Sequence, residues 1–150
     1  MLDWAGSGPP FVLLACYLST HVYDEFAPKL TDQSHVYGMT RRGIGASDKP
    51  ATGYSVQQSA NDLFEVFNSL KLQHALLVGH SCAGQVLTMF AAQHADRLRG
   101  LVYFDNHMSA VVGVGAAVVT RCDRGVRHAR RCRGCGIDAP RGEDVASRPG

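Results

Sequence analysis

The sequence predicts an α/β fold in which about four parallel strands are flanked by helices. Three observations support this prediction: apolar runs of strand length, amphipathic segments of helical period between them, and glycine or proline near the junctions. The strand-like runs are 11–16, 35–40, 74–79 and 100–105. Strands that alternate with helices favour a parallel sheet with right-handed crossovers.

The segments between these runs have the period of helices. Ser55 followed by Gln58 has the capping-box spacing of a helix start. Two apolar stripes at helical spacing then predict two helices, one after the second run and one after the third: Leu63, Val66, Phe67 and Leu70, and Val86, Leu87, Phe90 and Ala91. A shorter helical piece is expected over 21–30, where Pro28 limits its length.

The composition is typical of a globular protein, neither disordered on average nor membrane-spanning. The chain has 150 residues, 45% hydrophobic and 19% charged, which suits one modest core. The longest apolar run, 110–119, is about half of a bilayer span. No Lys or Arg precedes the run 11–16, so the start does not resemble a secretory signal. We therefore expect a cytoplasmic protein with no membrane partner.

The character of the chain changes after residue 106. All aromatic residues lie between Trp4 and Phe104, whereas 121–150 has eight arginines and no aromatic residue. We predict a folded unit over 1–106 and an Arg/Gly-rich tail over 107–150 that is disordered, because such composition cannot bury a core of its own.

The strongest chemical signal is the segment that joins the third strand to the second helix. Ser81 follows an apolar strand and precedes a helix, and small residues lie two positions before it and two and three positions after it. A turn this sharp strains the backbone at the serine and needs small neighbours. The predicted nucleophile elbow comprises Gly79, His80, Ser81, Ala83 and Gly84. A serine that only caps a helix after a buried strand is the alternative interpretation.

This elbow, and a second motif before it, make residues 3–106 resemble the α/β-hydrolase family. The second motif is the Thr-Arg-Arg-Gly loop in 40–50, which is similar to the Arg-Gly-x-Gly-x-Ser loop of that family. A phosphate-binding glycine loop fits less well, because the third glycine is missing; a turn with positive φ at its glycines is expected instead. The resemblance implies the first half of a three-layer hydrolase fold.

The resemblance also assigns the remaining site residues. The backbone N–H groups of Cys82 and Tyr17 would form the oxyanion hole. Cys16 stands where glycine is usual, and we expect it to restrict the backbone near the second donor. Asp105, at the end of the fourth strand, is the candidate acid, or else it caps the strand. The family's catalytic histidine has no clear counterpart, since His107 and His128 are both poorly placed.

These assignments predict a serine hydrolase acting on an ester or similar acyl bond of a small molecule, with no metal or organic cofactor. Serine at the elbow disfavours halide and epoxide substrates, for which the family uses a carboxylate nucleophile. Without its base, the protein is expected to have reduced or no activity, as a truncated or frame-shifted hydrolase would. The alternative is a non-catalytic fragment that binds a partner or self-associates through an exposed edge strand over 100–105. A makeshift strand from the stretches 111–114 and 116–119 could cover this edge, although its glycines weaken it.

The tail contains a separate group of candidate metal ligands. Cys122, His128, Cys132 and Cys135 include one C-x-x-C pair, and the nearby arginines would suit nucleic acid. A single such pair without supporting apolar residues favours an unstructured basic tail with free thiols instead. Five cysteines without a secretion signal suggest a reducing compartment.

Overall fold

The computed structural model describes residues 1–104, 117–122 and 125–131. The strands and helices, in chain order, are β1 (Leu2–Asp3), β2 (Pro10–Leu14), β3 (His35–Met39), α1 (Val56–Ser69), β4 (Ala75–His80), α2 (Ala83–Gln93), β5 (Leu98–Phe104), β6 (Ala117–Cys122) and β7 (Gly125–Arg131). Short 3₁₀ helices span Thr20–Tyr23, Ala27–Leu30 and Ala95–Arg97.

The strands form one sheet in the order β1-β3-β2-β4-β5-β6-β7. The four central strands, β3, β2, β4 and β5, are mutually parallel, which confirms the predicted α/β class and its four parallel strands. β1, β6 and β7 add antiparallel strands at the two ends. The sequence indicated a makeshift strand over 111–119, which overlaps the start of β6, and it indicated neither β1 nor β7.

The outer edge of β5 is covered. The sequence predicts an exposed edge over 100–105 unless a makeshift strand covers it, and β6 pairs with this edge antiparallel, with Gly100 opposite Thr120. Backbone pairing therefore satisfies this edge. Both β6 and β7 lie within 107–150, whose status as a separate tail remains a prediction.

The helices follow from local sequence. The Ser55 hydroxyl accepts a hydrogen bond from the Gln58 N–H (3.1 Å), so α1 starts at the predicted cap. The side chain of Gln58 bonds Asp62 instead of completing a reciprocal capping box. The predicted helical piece at 21–30 consists of two 3₁₀ helices, with Pro28 inside the second.

The helices α1 and α2 pack on one face of the sheet. Residues from this face and from the two helices form the main core, which includes the fully buried Leu63, Phe67, Leu77, Leu87 and Phe90. A smaller cluster of Leu13, Ala27, Val36 and Val78 covers part of the other face. No helix in the described segments is long and apolar enough to cross a membrane.

Candidate active site

Ser81 occupies a strained turn between β4 and α2. Its φ is +54°, in the left-handed region that non-glycine residues rarely adopt. The strand ends at His80 and the helix begins at Ala83, so only two residues make the turn. A Cβ added at Gly79 would lie 3.0 Å from the Leu87 side chain and 3.1 Å from the Ala83 backbone. A side chain at Gly79 would therefore be crowded against α2, as an elbow predicts.

Backbone hydrogen bonds hold this turn against the neighbouring strand. The Ser81 N–H donates to the Phe104 carbonyl at the end of β5 (2.9 Å), and the Ser81 carbonyl accepts from the Gly84 N–H (3.0 Å). The serine thus lies at the carboxyl end of the parallel strands and at the N-terminus of α2. The N-terminus of a helix favours developing negative charge.

A disulfide joins the two segments that the resemblance assigned to the oxyanion hole. Cys16, just after β2, is bonded to Cys82, the residue after Ser81, with their Cα atoms 5.1 Å apart. The sequence analysis predicted neither this bond nor an oxidised pair. Cys16 is not among the residues with positive φ, and its restriction of the backbone near the second donor stays a prediction.

The candidate oxyanion donors are the backbone N–H groups of Tyr17 and Cys82. Within the described part of the chain, neither N–H has a hydrogen-bond acceptor. The Tyr23 hydroxyl donates a hydrogen bond to the carbonyl of Leu14, the last residue of β2 (3.1 Å). Burial raises the pKa of Tyr23 to about 12, so this donor stays protonated at neutral pH.

The Thr-Arg-Arg-Gly loop packs beside these segments. Gly43 (φ +81°) and Gly45 (φ +54°) adopt the positive φ predicted for the turn. The Gly43 N–H donates to the Asp48 carbonyl (2.8 Å), which closes the loop. The Thr40 hydroxyl lies 2.7 Å from that of Thr20 and ties the loop to the segment after β2.

The two arginines of this loop have different surroundings. The Nε and Nη2 atoms of Arg42 both donate to the carboxylate of Asp62 on α1, at 2.6 and 2.5 Å. The neighbouring Arg41 contacts only uncharged groups among the described residues: the Cys16 carbonyl (3.4 Å), the Cys82 Sγ (3.7 Å) and the Ser59 hydroxyl (3.1 Å). The sequence analysis gave Arg41 no role. Its position within the glycine loop, directly before Arg42, was the feature of the sequence that could have pointed to a role.

The acid and the base of a catalytic triad are not assigned by the described residues. Asp105 and His107 both lie outside them, and so does the side chain of His128. Three other histidines have partners away from Ser81: His21 bonds Asp24 (2.9 Å), His35 bonds Asp3 (2.8 Å) and His94 stacks on Phe64. The ring of His80 packs at an angle to that of Phe104, with centroids 5.7 Å apart.

The described residues contain no group of three or more His, Cys, Asp or Glu side chains arranged for a metal ion. Four residues of the tail are candidate zinc ligands. Cys132 and Cys135 lie outside the described residues, and so do the side chains of Cys122 and His128.

Comparison with known proteins identifies close relatives of this arrangement. A 2-(acetamidomethylene)succinate hydrolase of Mesorhizobium japonicum is 34% identical over 101 residues, which cover 67% of this chain and 36% of that protein. A soluble epoxide hydrolase of a Corynebacterium species is 33% identical over 102 residues, with the same two coverages. A solved structure of an N-acyl homoserine lactone degrading enzyme matches with a TM-score of 0.66 and 31% identity, over 68% of this chain and 40% of that one.

The chain therefore spans little more than a third of the length of the curated relatives it matches. The family model for the alpha/beta hydrolase fold matches residues 9–121, which include β2 to β5, the strained serine turn and the glycine loop. On this evidence the chain belongs to the α/β-hydrolase fold family.

Proposed function

We propose that this protein is a serine hydrolase and that Ser81 attacks the carbonyl carbon of an ester or similar acyl bond in a small molecule. The observation that carries the proposal is the positive φ of Ser81 between β4 and α2. A non-glycine residue pays a conformational cost of order 1–3 kcal/mol there, and such strain is concentrated at functional sites. A serine that only capped the helix would have no need of it, since N-cap residues use ordinary extended backbone.

The proposed reaction has two steps. Ser81 Oγ forms a bond to the acyl carbon, the bond to the leaving alcohol breaks, and the hydroxyl proton is transferred to that alcohol. Water then attacks the acyl-enzyme and releases the carboxylic acid. The N–H groups of Cys82 and Tyr17 would stabilise the tetrahedral oxyanion, and loss of one such donor costs about 3 kcal/mol in the transition state. Asp105 remains the candidate acid.

The relatives act on different bonds, and the residue at the elbow discriminates between them. Their names include an epoxide hydrolase and a fluoroacetate dehalogenase. Family members that open epoxides or displace halides use a carboxylate nucleophile, whereas this chain has the hydroxyl of Ser81. A hydroxyl nucleophile suits acyl transfer. We expect both the acylation of Ser81 and its deacylation to be slow, because each step needs a base and the described residues supply no assigned one.

Labelling with a fluorophosphonate probe tests the proposal. The wild-type chain should gain one phosphonate adduct at Ser81, detected by intact mass and peptide mapping. Ser81→Ala should abolish the adduct. Ser69→Ala, which removes an exposed serine at the end of α1, is the matched control and should label like the wild type. A wild-type chain that gains no adduct, or an adduct that persists in Ser81→Ala, contradicts the proposal.

The second candidate is a non-catalytic module that self-associates or binds a partner. One observation favours it: Phe104, at the end of β5, is 55% exposed although it belongs to a strand of the sheet. Large exposed aromatic side chains are common at interfaces. Absence of labelling together with concentration-dependent light scattering would favour this candidate.

A further inference from the structure

A cavity of about 350 Å³ lies beside the candidate active site. Tyr17 and Cys82, which carry the candidate oxyanion donors, line one part of it. Gln85 of α2, Tyr54 and the two arginines of the glycine loop also line it. The cavity therefore lies against both candidate oxyanion segments, one of which directly follows Ser81.

The charge in this cavity is unbalanced. Asp62 neutralises Arg42 through two hydrogen bonds. Arg41 has no carboxylate in contact among the described residues, and its Nε is buried without a hydrogen-bond partner there. Burial holds the pKa of Arg41 below its ordinary value, and the nearby Tyr17 and Asp62 offset this in part. An arginine nevertheless stays protonated in proteins.

A partly buried cation is costly unless an anion accompanies it. The planar guanidinium group matches a carboxylate in shape, because parallel N–H groups can bond both oxygens. The contacts of Arg41 with the Cys16 carbonyl and the Cys82 sulfur place its guanidinium group beside both oxyanion segments. A single small molecule could therefore reach Arg41 and Ser81 together.

We propose that Arg41 and this cavity bind a carboxylate group of the substrate, so that the preferred substrates are acyl compounds that carry a second, anionic group. This inference rests on the proposed function, because it assumes that the acyl group reacts at Ser81. Arg42 is excluded as the anion-binding group because Asp62 already occupies its hydrogen-bonding edge.

Two probes of the same size test this subsite: succinate, a dicarboxylate, and succinamide, its neutral diamide. Titration calorimetry on the full chain should show that succinate binds at least about tenfold more tightly than succinamide, since hydrogen bonds to charged groups are worth more than neutral ones. Succinate should also slow fluorophosphonate labelling of Ser81.

Arg41→Gln should lower succinate affinity by about tenfold or more and remove the protection of Ser81. Arg99→Gln removes the same charge from an exposed residue of β5 and should change neither result. Circular dichroism establishes whether each variant is folded. If Arg41→Gln does not fold, the wild-type comparison of the two probes still decides, because equal affinities overturn the inference.

The other outcomes are also distinct. An equal loss in Arg41→Gln and Arg99→Gln indicates a nonspecific charge effect and overturns the subsite, and so does succinate binding that leaves Ser81 unprotected. If the wild type is labelled but binds no succinate, the subsite fails and the proposed function stands. If the wild type binds succinate through Arg41 but is never labelled, the proposed function fails and only an anion-binding cavity remains.

Discussion

The two faces of the sheet differ in how completely they are covered. On the face that packs against α1 and α2, buried side chains from four strands and both helices form the main core. On the opposite face, four buried residues of the described part of the chain form a cluster, and it is covered mainly by side chains of two 3₁₀ helices and by Trp4, which follows β1. Val102 on this second face is partly exposed, and Phe104 is exposed.

This difference indicates that packing on the face covered by α1 and α2 contributes most to the stability of the described residues. Helix α2, which follows the elbow, packs in the main core, and Arg42 ties the glycine loop to α1 on the same face, so the geometry around Ser81 depends on that core. The sparsely covered face contributes less to it. Three perturbations test this comparison, and they are ordered by the size of their expected effect.

The largest effect is expected from the disulfide, which ties β2 to the start of α2. Cys16 and Cys82 are 66 residues apart in sequence, and closing a loop of that length stabilises a folded chain by about 4 kcal/mol in the chain-entropy estimate. Reduction with dithiothreitol should lower the urea midpoint accordingly. The double variant Cys16→Ala/Cys82→Ala retains the three tail cysteines and should not respond to reductant. If it does respond, the stabilisation comes from another thiol pair.

A matched pair of leucines compares the two faces directly. Leu77 is fully buried against the helices, and its neighbour Leu76 points to the other face and is partly exposed. We expect Leu77→Ala to lower the free energy of unfolding by about 3 kcal/mol, through lost burial and a cavity. Leu76→Ala should cost about 1 kcal/mol. Equal losses in urea unfolding would show that the second face is as well packed as the first.

Sequence reasoning succeeded where the cause of a structure is local. The small residues around Ser81, the cap at Ser55 and the glycines at 43 and 45 each prescribe a conformation within a few residues, and all three conformations were predicted. The four parallel strands followed from apolar runs in the same way. Local patterns of this kind determine the elbow and the positions of the strands along the chain.

Sequence reasoning failed where distant segments meet. Nothing in the local pattern around Cys16 indicates Cys82 as its partner, although the resemblance already placed both residues at the oxyanion hole, and that proximity was the missed signal. The different surroundings of Arg41 and Arg42 depend on which one faces Asp62, 20 residues after Arg42. Pairing of β5 with β6 was indicated only as a makeshift strand over 111–119, since antiparallel pairing across a long connection leaves little local trace.

The smallest effect concerns the ion pair that fastens α1 to the glycine loop on the well-covered face. Burial raises the pKa of Asp62, but the hydrogen bonds from Arg42 and Gln58 and the charges of Arg42 and Arg41 outweigh it and hold the pKa below its ordinary 3.8. A carboxylate with a lowered folded-state pKa stabilises the fold above its unfolded pKa of about 4. This contribution is lost as the pH falls through the lower, folded-state value.

Asp62→Asn should therefore flatten the dependence of the urea midpoint on pH between about pH 5 and pH 2. Its effect at neutral pH should be smaller than that of Leu77→Ala, because solvent screens a partly exposed pair. Asp32→Asn, at an exposed aspartate after the second 3₁₀ helix, is the matched control and should keep the wild-type slope. If the urea midpoint of Asp62→Asn depends on pH as that of the wild type does, packing alone holds the loop to α1. The charge of Arg42 then needs no partner there.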